Sequence, residues 1–188
     1  MNKEIEIKIQ ITSEQLKNLQ TWLDKNAKFV EKIEHKEHYL DNPNDSFYFI
    51  NSEGKKEATC FFRIRMTKNG DSACYKNWHK DETGKTTHCD EVEIKLIDGN
   101  EMLNLFYALG YETKYTIEKS RKIYLVDKFE IVIDNIKNYG IFVEVELKDQ
   151  VANVQAGIEN IYDLLRKIKI TKFKKQIRGG GEMEEVCL

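Results

Sequence analysis

The sequence lacks the features that would place it in several common classes. Its four cysteines, Cys60, Cys74, Cys89 and Cys187, stand far apart with no C-x-x-C pair. His35 and His38 have no matching Cys or His pair at a usable spacing, which argues against a zinc site. No apolar run approaches the roughly 20 residues of a membrane helix. The amino terminus shows no signal-peptide pattern and goes straight into an alternating segment. The expectation is a cytoplasmic protein with reduced thiols. Charge of one sign is lacking too: 30 Lys and Arg stand against 32 Asp and Glu, a net charge of −2. No general field steers the chain toward nucleic acid or an anionic membrane, so neither is an expected partner. Any anion specificity has to come from local clustering.

What is present is a charged globular chain of 188 residues, 40% hydrophobic and 33% charged. A chain of this size buries roughly 70% of the surface that its unfolded form exposes. Residues 2–11, "NKEIEIKIQI", alternate with period two: Ile5, Ile7, Ile9 and Ile11 on one side, Glu4, Glu6 and Lys8 on the other. Thr12 with Gln15 forms a capping-box pattern, and Leu16, Leu19 and Leu23 follow at helical spacing. Residues 28–40 read as extended, and "DNPND", with the only proline, reads as a turn. Strands are expected near 57–67, 72–80, 87–97, 113–126, 128–135 and 140–148, joined by hairpin-like separators. Helices are expected over 99–110, ended by Gly110, and over 151–168. With no repeats and no linker, one domain is expected over 1–170. The glycine-rich segment 171–188 reads as a flexible tail. The sum is an α+β fold of about eight antiparallel strands, closed into a barrel with helices packed outside.

The charged sides of these strands carry the candidate chemistry. The acids are Glu4, Glu6, Glu91, Glu93, Asp134, Glu144 and Glu146; the bases are Lys8, Arg63, Arg65, Lys76, Lys95, Lys119 and Arg121. A solvated sheet face stabilised by cross-strand ion pairs, at roughly 0.2–1 kcal/mol each, explains any single strand. Taken together the strands ask for more. Acids recur as i, i+2 pairs on three strands and bases on two, although like charges side by side repel. Paired carboxylates are tolerable when they share a hard cation, which also takes phosphate oxygens. Paired Arg and Lys are tolerable when they share a polyanion. If the sheet closes, such faces line a lumen suited to a metal-bound chain of phosphates.

The ordered run "EIEIK", "RIR", a lone strand lysine, "EVE", "KSR", "IDNI" and "GIFVEVE" resembles the CYTH superfamily of triphosphate tunnel metalloenzymes. That group includes class IV adenylate cyclases, thiamine triphosphatases and inorganic triphosphatases. The resemblance spans roughly residues 2–168 and is closest, over "YTIEKSRKIYLVDKFEIVIDNIKNYGIFVEVEL", to the class IV cyclase branch. It implies an eight-stranded tunnel that presents a triphosphate to one or two divalent cations, Mg²⁺ or Mn²⁺. It implies that Glu4, Glu6, Glu144 and Glu146 hold metal, with Glu91, Glu93 and Asp134 as further acidic tunnel positions. It implies that Lys8, Arg63, Arg65, Lys76, Lys119 and Arg121 bind phosphate, and that the first four are catalytic. Lys95 matches no family role. The ending "FKKQIRGGGEMEEVCL" departs from the aromatic segment that often covers one tunnel mouth in the family.

Phosphoryl transfer rests on positioning and charge neutralisation, which these residues supply. Attack by water makes a triphosphatase; attack by a ribose 3′-hydroxyl on the α-phosphorus makes an adenylate cyclase. No base-recognition motif is legible, and hydrolysis demands less of the site. A non-catalytic module binding polyphosphate or nucleotide is the reading from another class. A homodimer is one assembly open to the chain. Tyr39 and Asp41 read equally as turn chemistry and as neighbours of a tunnel mouth.

Overall fold

In the computed structural model of the chain, residues 5–50, 54, 56–80, 86–149, 154–176 and 183–188 are described. They form, in order, β1 (Ile5–Ile11), α1 (Ser13–Asn26), β2 (Lys28–Asp41), β3 (Tyr48–Ile50), β4 (Lys56–Ala58), β5 (Cys60–Thr67), β6 (Asp71–Lys80), β7 (Thr86–Leu96) and α2 (Gly99–Ala108). There follow β8 (Glu112–Val126), β9 (Phe129–Ile136), β10 (Gly140–Leu147), α3 (Val154–Lys167), β11 (Lys172–Gln176) and β12 (Met183–Cys187). The architecture is α+β, with antiparallel strand pairs and three helices among the described residues. Twelve strands stand among the described residues where about eight were expected: the hairpin β3–β4 and the pair β11–β12 are additional.

The chain divides into two compact units: residues 1–32 with 119–188, and residues 33–118.

In the first unit the strand order is β12-β11-β1-β10-β9-β8. The alternation of β1 buries Ile5, Ile7, Ile9 and Ile11, none more than 8% exposed. Val143, Val145 and Leu147 of β10, with Ile131 and Ile133 of β9, join them in one core. Two helices cover this apolar face. α1 starts at Thr12, whose hydroxyl accepts from the Gln15 amide while the Gln15 side chain accepts from the Thr12 amide, closing the capping box. It delivers Leu19 and Leu23, and α3 delivers Ile161, Leu164 and Leu165, all in the same core. Each such leucine contributes roughly 1.5–3 kcal/mol by leaving water.

The described residues of the segment 171–188 include the strands β11 and β12. Phe173 is 6% exposed, and β11 pairs with β1 and with β12. Its three glycines lie outside the described residues.

In the second unit the order is β8-β2-β5-β6-β7, with β3–β4 as a separate hairpin. α2 is capped by Asp98, which accepts from the amides of Asn100 and Glu101. The chain leaves it through Gly110 at φ +87°, a left-handed conformation that favours glycine. Leu103 of this helix packs on Leu40, Ile64 and Ala73 to form a smaller core. Asp41, the last residue of β2, accepts from the Ser46 hydroxyl and the Phe47 amide and is 3% exposed.

Candidate functional site

In the first unit, the face of β1, β10, β9 and β8 opposite the core carries the charged side chains in ordered rows. Glu6 lies across from Glu146, and Glu146 across from Glu130. One row along, Lys8 lies across from Glu144, and its Nζ donates to Glu144 Oε1 at 2.7 Å. One row further, Arg121 lies across from Asp134. Arg121 Nε and Nη2 donate to Asp134 Oδ1 and Oδ2 at 2.8 and 2.6 Å, and Nη2 also reaches Glu144 Oε2 at 2.9 Å. Lys119 Nζ stands 3.3 Å from Asp134 Oδ2. The face therefore runs from acid to base along the strands.

Burial sets the electrostatics of these groups. Asp134 is 0% exposed and the Lys119 side chain 5%. Burial alone would push the Glu144 carboxyl up; the charges of Arg121 and Lys8 overcome it and hold the group down at about 2. Glu144 is therefore ionised at any physiological pH. Asp134 groups with the cations rather than with the acid row, since Arg121 takes both of its oxygens. The acid row has its own cation: Lys148 Nζ donates to Glu146 at 2.8 Å and lies 3.8 Å from Glu130. Sequence reading missed Glu130, although its period-two relation to Asp134 in "FEIVID" was the available signal. Glu4 lies outside the described residues.

In the second unit, β2, β5, β6 and β7 build another charged face. The register sets Glu37 across from Arg65, Tyr39 across from Arg63, and Lys76 across from Glu91. Glu37, unforeseen from the sequence, is its centre and is 1% exposed. Arg65 Nε donates to Glu37 Oε1 at 2.9 Å, and the Tyr39 hydroxyl donates to Glu37 Oε2 at 3.2 Å. Arg63 Nη1 lies 3.6 Å from Glu37 Oε1 and donates to the Tyr39 hydroxyl at 3.3 Å. Burial opposes the charge of Arg63, yet Glu37 and Tyr39 more than compensate and raise its pKa. Burial first, and then Glu37, push the Tyr39 hydroxyl up to about 12.

The outer part of this face pairs the remaining candidates. Lys76 Nζ sits 2.6 Å from Glu91 Oε2. Burial acts against both charges, and their mutual hydrogen bond outweighs it, lowering Glu91 and raising Lys76. The Cys74 thiol donates to Glu91 at 3.3 Å, and burial pushes it up to about 11, so it stays a thiol. Glu93 accepts from the Ser72 hydroxyl at 2.8 Å and lies 3.6 Å from Arg65 Nη1. Lys95 is exposed on β7.

As placed, no three His, Cys, Asp or Glu side chains among the described residues form a ready metal cage. The donor chemistry nonetheless fits a hard cation. Glu6, Glu144 and Glu146 offer only carboxylate oxygens, with Glu6 and Glu146 directly across two strands. No helix among the described residues is long and apolar enough to cross a membrane.

Known proteins share both sequence and fold with this chain. A protein of Methanocaldococcus jannaschii, provisionally named adenylate cyclase MJ0240, is 28% identical over 175 residues, covering 90% of this chain and 91% of its own. The PH1819 protein of Pyrococcus horikoshii superposes with a TM-score of 0.68 at 22% identity, covering 94% of this chain and 95% of that one. A Hippeastrum protein, also provisionally named an adenylyl cyclase and described as having a dominant triphosphatase activity, superposes with a TM-score of 0.67 at 14% identity, covering 96% and 93%. The model of the CYTH domain matches residues 2–179, so this chain, rows of opposed charge included, belongs to the CYTH domain family.

Proposed function

We propose that the chain is a divalent-metal-dependent enzyme that binds a triphosphate and cleaves a phosphoanhydride bond by hydrolysis. The observation that carries the reading is the ordering of charge on the first unit's face, with Glu6, Glu146 and Glu130 in one row, Arg121 two rows away and Lys119 three. A merely solvated face has no reason to sort its charges along the strands. A phosphate chain with a cation at one end does.

Glu4, Glu6, Glu144 and Glu146 would hold the cation, which when bound would neutralise phosphate charge and orient the attacking water. Arg63, Arg65, Lys119 and Arg121 bind phosphate oxygens with forked or point charges. Lys8 and Lys76 are held by single carboxylates, Glu144 and Glu91, and turn from them to the developing charge on the substrate. Asp134 positions Lys119 and Arg121. In the reaction the water oxygen bonds to the terminal phosphorus and the bridging P–O bond breaks. The proton of water passes to solvent, leaving orthophosphate and the shortened chain. The closed tunnel that the family resemblance implies belongs to this same reading.

Two relatives favour different outcomes on one apparatus. The dominant triphosphatase activity described for the Hippeastrum protein favours hydrolysis. The provisional name of the M. jannaschii protein favours cyclisation of ATP, with a ribose 3′-hydroxyl attacking the α-phosphorus and pyrophosphate leaving. Incubating the chain with tripolyphosphate, thiamine triphosphate or ATP, each with Mg²⁺ or Mn²⁺, separates them. Orthophosphate is the expected product. Cyclic AMP with pyrophosphate transfers the assignment to cyclase, and binding without turnover leaves a non-catalytic module.

A further inference from the structure

The second unit holds a carboxylate that the reaction does not call on. Glu37 is 1% exposed, the more thoroughly buried of the two partners in each of its ion pairs with Arg63 and Arg65. An Arg pair at i, i+2 repels itself, and long side chains on a strand face are otherwise free to diverge. Glu37 gathers both: Oε1 takes Arg65 Nε at 2.9 Å and lies 3.6 Å from Arg63 Nη1. Tyr39 braces the group from the same strand, its hydroxyl donating to Oε2 at 3.2 Å and accepting from Arg63 Nη1 at 3.3 Å. His35, on the other side in the strand, brings Nδ1 to 3.6 Å. The arrangement leaves Arg63 Nε buried with no hydrogen-bond partner among the described residues, as it leaves both ring nitrogens of His35. A buried guanidinium donor without an acceptor is costly to maintain, and it marks a side chain held for something other than its own satisfaction.

We propose that Glu37 is a positioning residue: it holds Arg63 and Arg65 side by side as a preformed receptor for the oxygens of a polyphosphate. This rests on the triphosphate-binding reading given above. The first unit offers an independent parallel, because Asp134, 0% exposed, gathers the other i, i+2 cation pair, Lys119 and Arg121.

The sign of the effect separates positioning from simple charge. Removing a negative charge beside a polyanion site should tighten binding on Coulombic grounds. If Glu37 works by fixing two arginines in place, Glu37→Gln weakens binding despite that gain, because the ligand must then order both side chains itself. The test is calorimetric titration of the full chain with inorganic tripolyphosphate, with Mg²⁺ and again in chelator. Wild type and Glu37→Gln are compared with Glu37→Asp, which keeps the charge and shortens the reach. The expected result is a dissociation constant raised about tenfold in Glu37→Gln and less in Glu37→Asp, with unchanged stoichiometry. Unchanged or tighter binding by Glu37→Gln overturns the role. So does a fall in stoichiometry at constant affinity, which is the mark of a residue needed only for folding. Absence of tripolyphosphate binding by the wild-type chain instead overturns the underlying reading, and this role with it.

Discussion

Replacing Asp134 by Asn removes one charge and no volume, and the structure fixes what that should cost. The carboxylate is 0% exposed, both its oxygens are held by Arg121, and Lys119, itself only 5% exposed at the side chain, lies 3.3 Å away. Breaking a buried pair by removing one partner costs about 3–5 kcal/mol, because the other charge stays buried and uncompensated. Arg121 keeps Glu144 at 2.9 Å and Asn keeps one carbonyl acceptor. The low end, about 3 kcal/mol, is therefore expected. At roughly 2–4 °C per kcal/mol for a chain of this length, the melting midpoint should fall by roughly 6–12 °C. Urea unfolding followed by circular dichroism measures the loss directly, provided one cooperative transition is seen. Repeating it in high salt sharpens the result, since a buried pair is screened far less than an exposed one. A loss under about 1 kcal/mol, the value of a surface ion pair, would refute the reasoning. It would mean that Lys119 and Arg121 relax to water when their counter-charge is removed.

Glu144 makes stability depend on acid. Its folded pKa of about 2 lies below the ordinary glutamate value of 4.5, so its contribution is complete above the ordinary carboxylate range and is lost as pH falls through 4.5 toward 2. A drop of this size amounts to about 3 kcal/mol at most, and Glu144→Gln should flatten the stability profile across that window. Parallel profiles for the variant and the wild type would contradict the assignment. In the same unit, Thr12→Ala opens the capping box of α1 and should cost about 1 kcal/mol in urea unfolding, with Thr12→Ser restoring most of it.

Much of the backbone was legible because its signals are local. The four isoleucines of β1 alternate without interruption, Thr12 and Gln15 announce α1, and Gly110 stops α2. What local signals could not supply was β11 and β12. "KFKKQ" offers one aromatic among charges, and only the pairing with β1, which seats Phe173 at 6% exposure, makes it a strand. The charged faces were legible for the same reason as β1, by period two. Who meets whom on them was not. Lys76 and Glu91, assigned separately to phosphate and metal, lie 2.6 Å apart because β6 and β7 happen to register them. Glu37 was invisible for a related reason. In "EHKEHYL" neither side of the strand is apolar, so no pattern marks which acid will be buried. That is decided by the arginines of β5.

The registers also answer why like charges tolerate each other on single strands. Each cation pair has a buried carboxylate on a neighbouring strand, in register with one member: Glu37 with Arg65, Asp134 with Arg121. A buried anion between two cations offsets their mutual repulsion and leaves the pair stable in the folded chain. Stability and affinity are then tied at these two acids and separable elsewhere. Lys76, with a third of its side chain exposed and held by an equally exposed Glu91, can lose its charge with little effect on folding. Asp134 cannot, and the same buried placement that makes it indispensable to the fold is what keeps the cations beside it aimed in one direction.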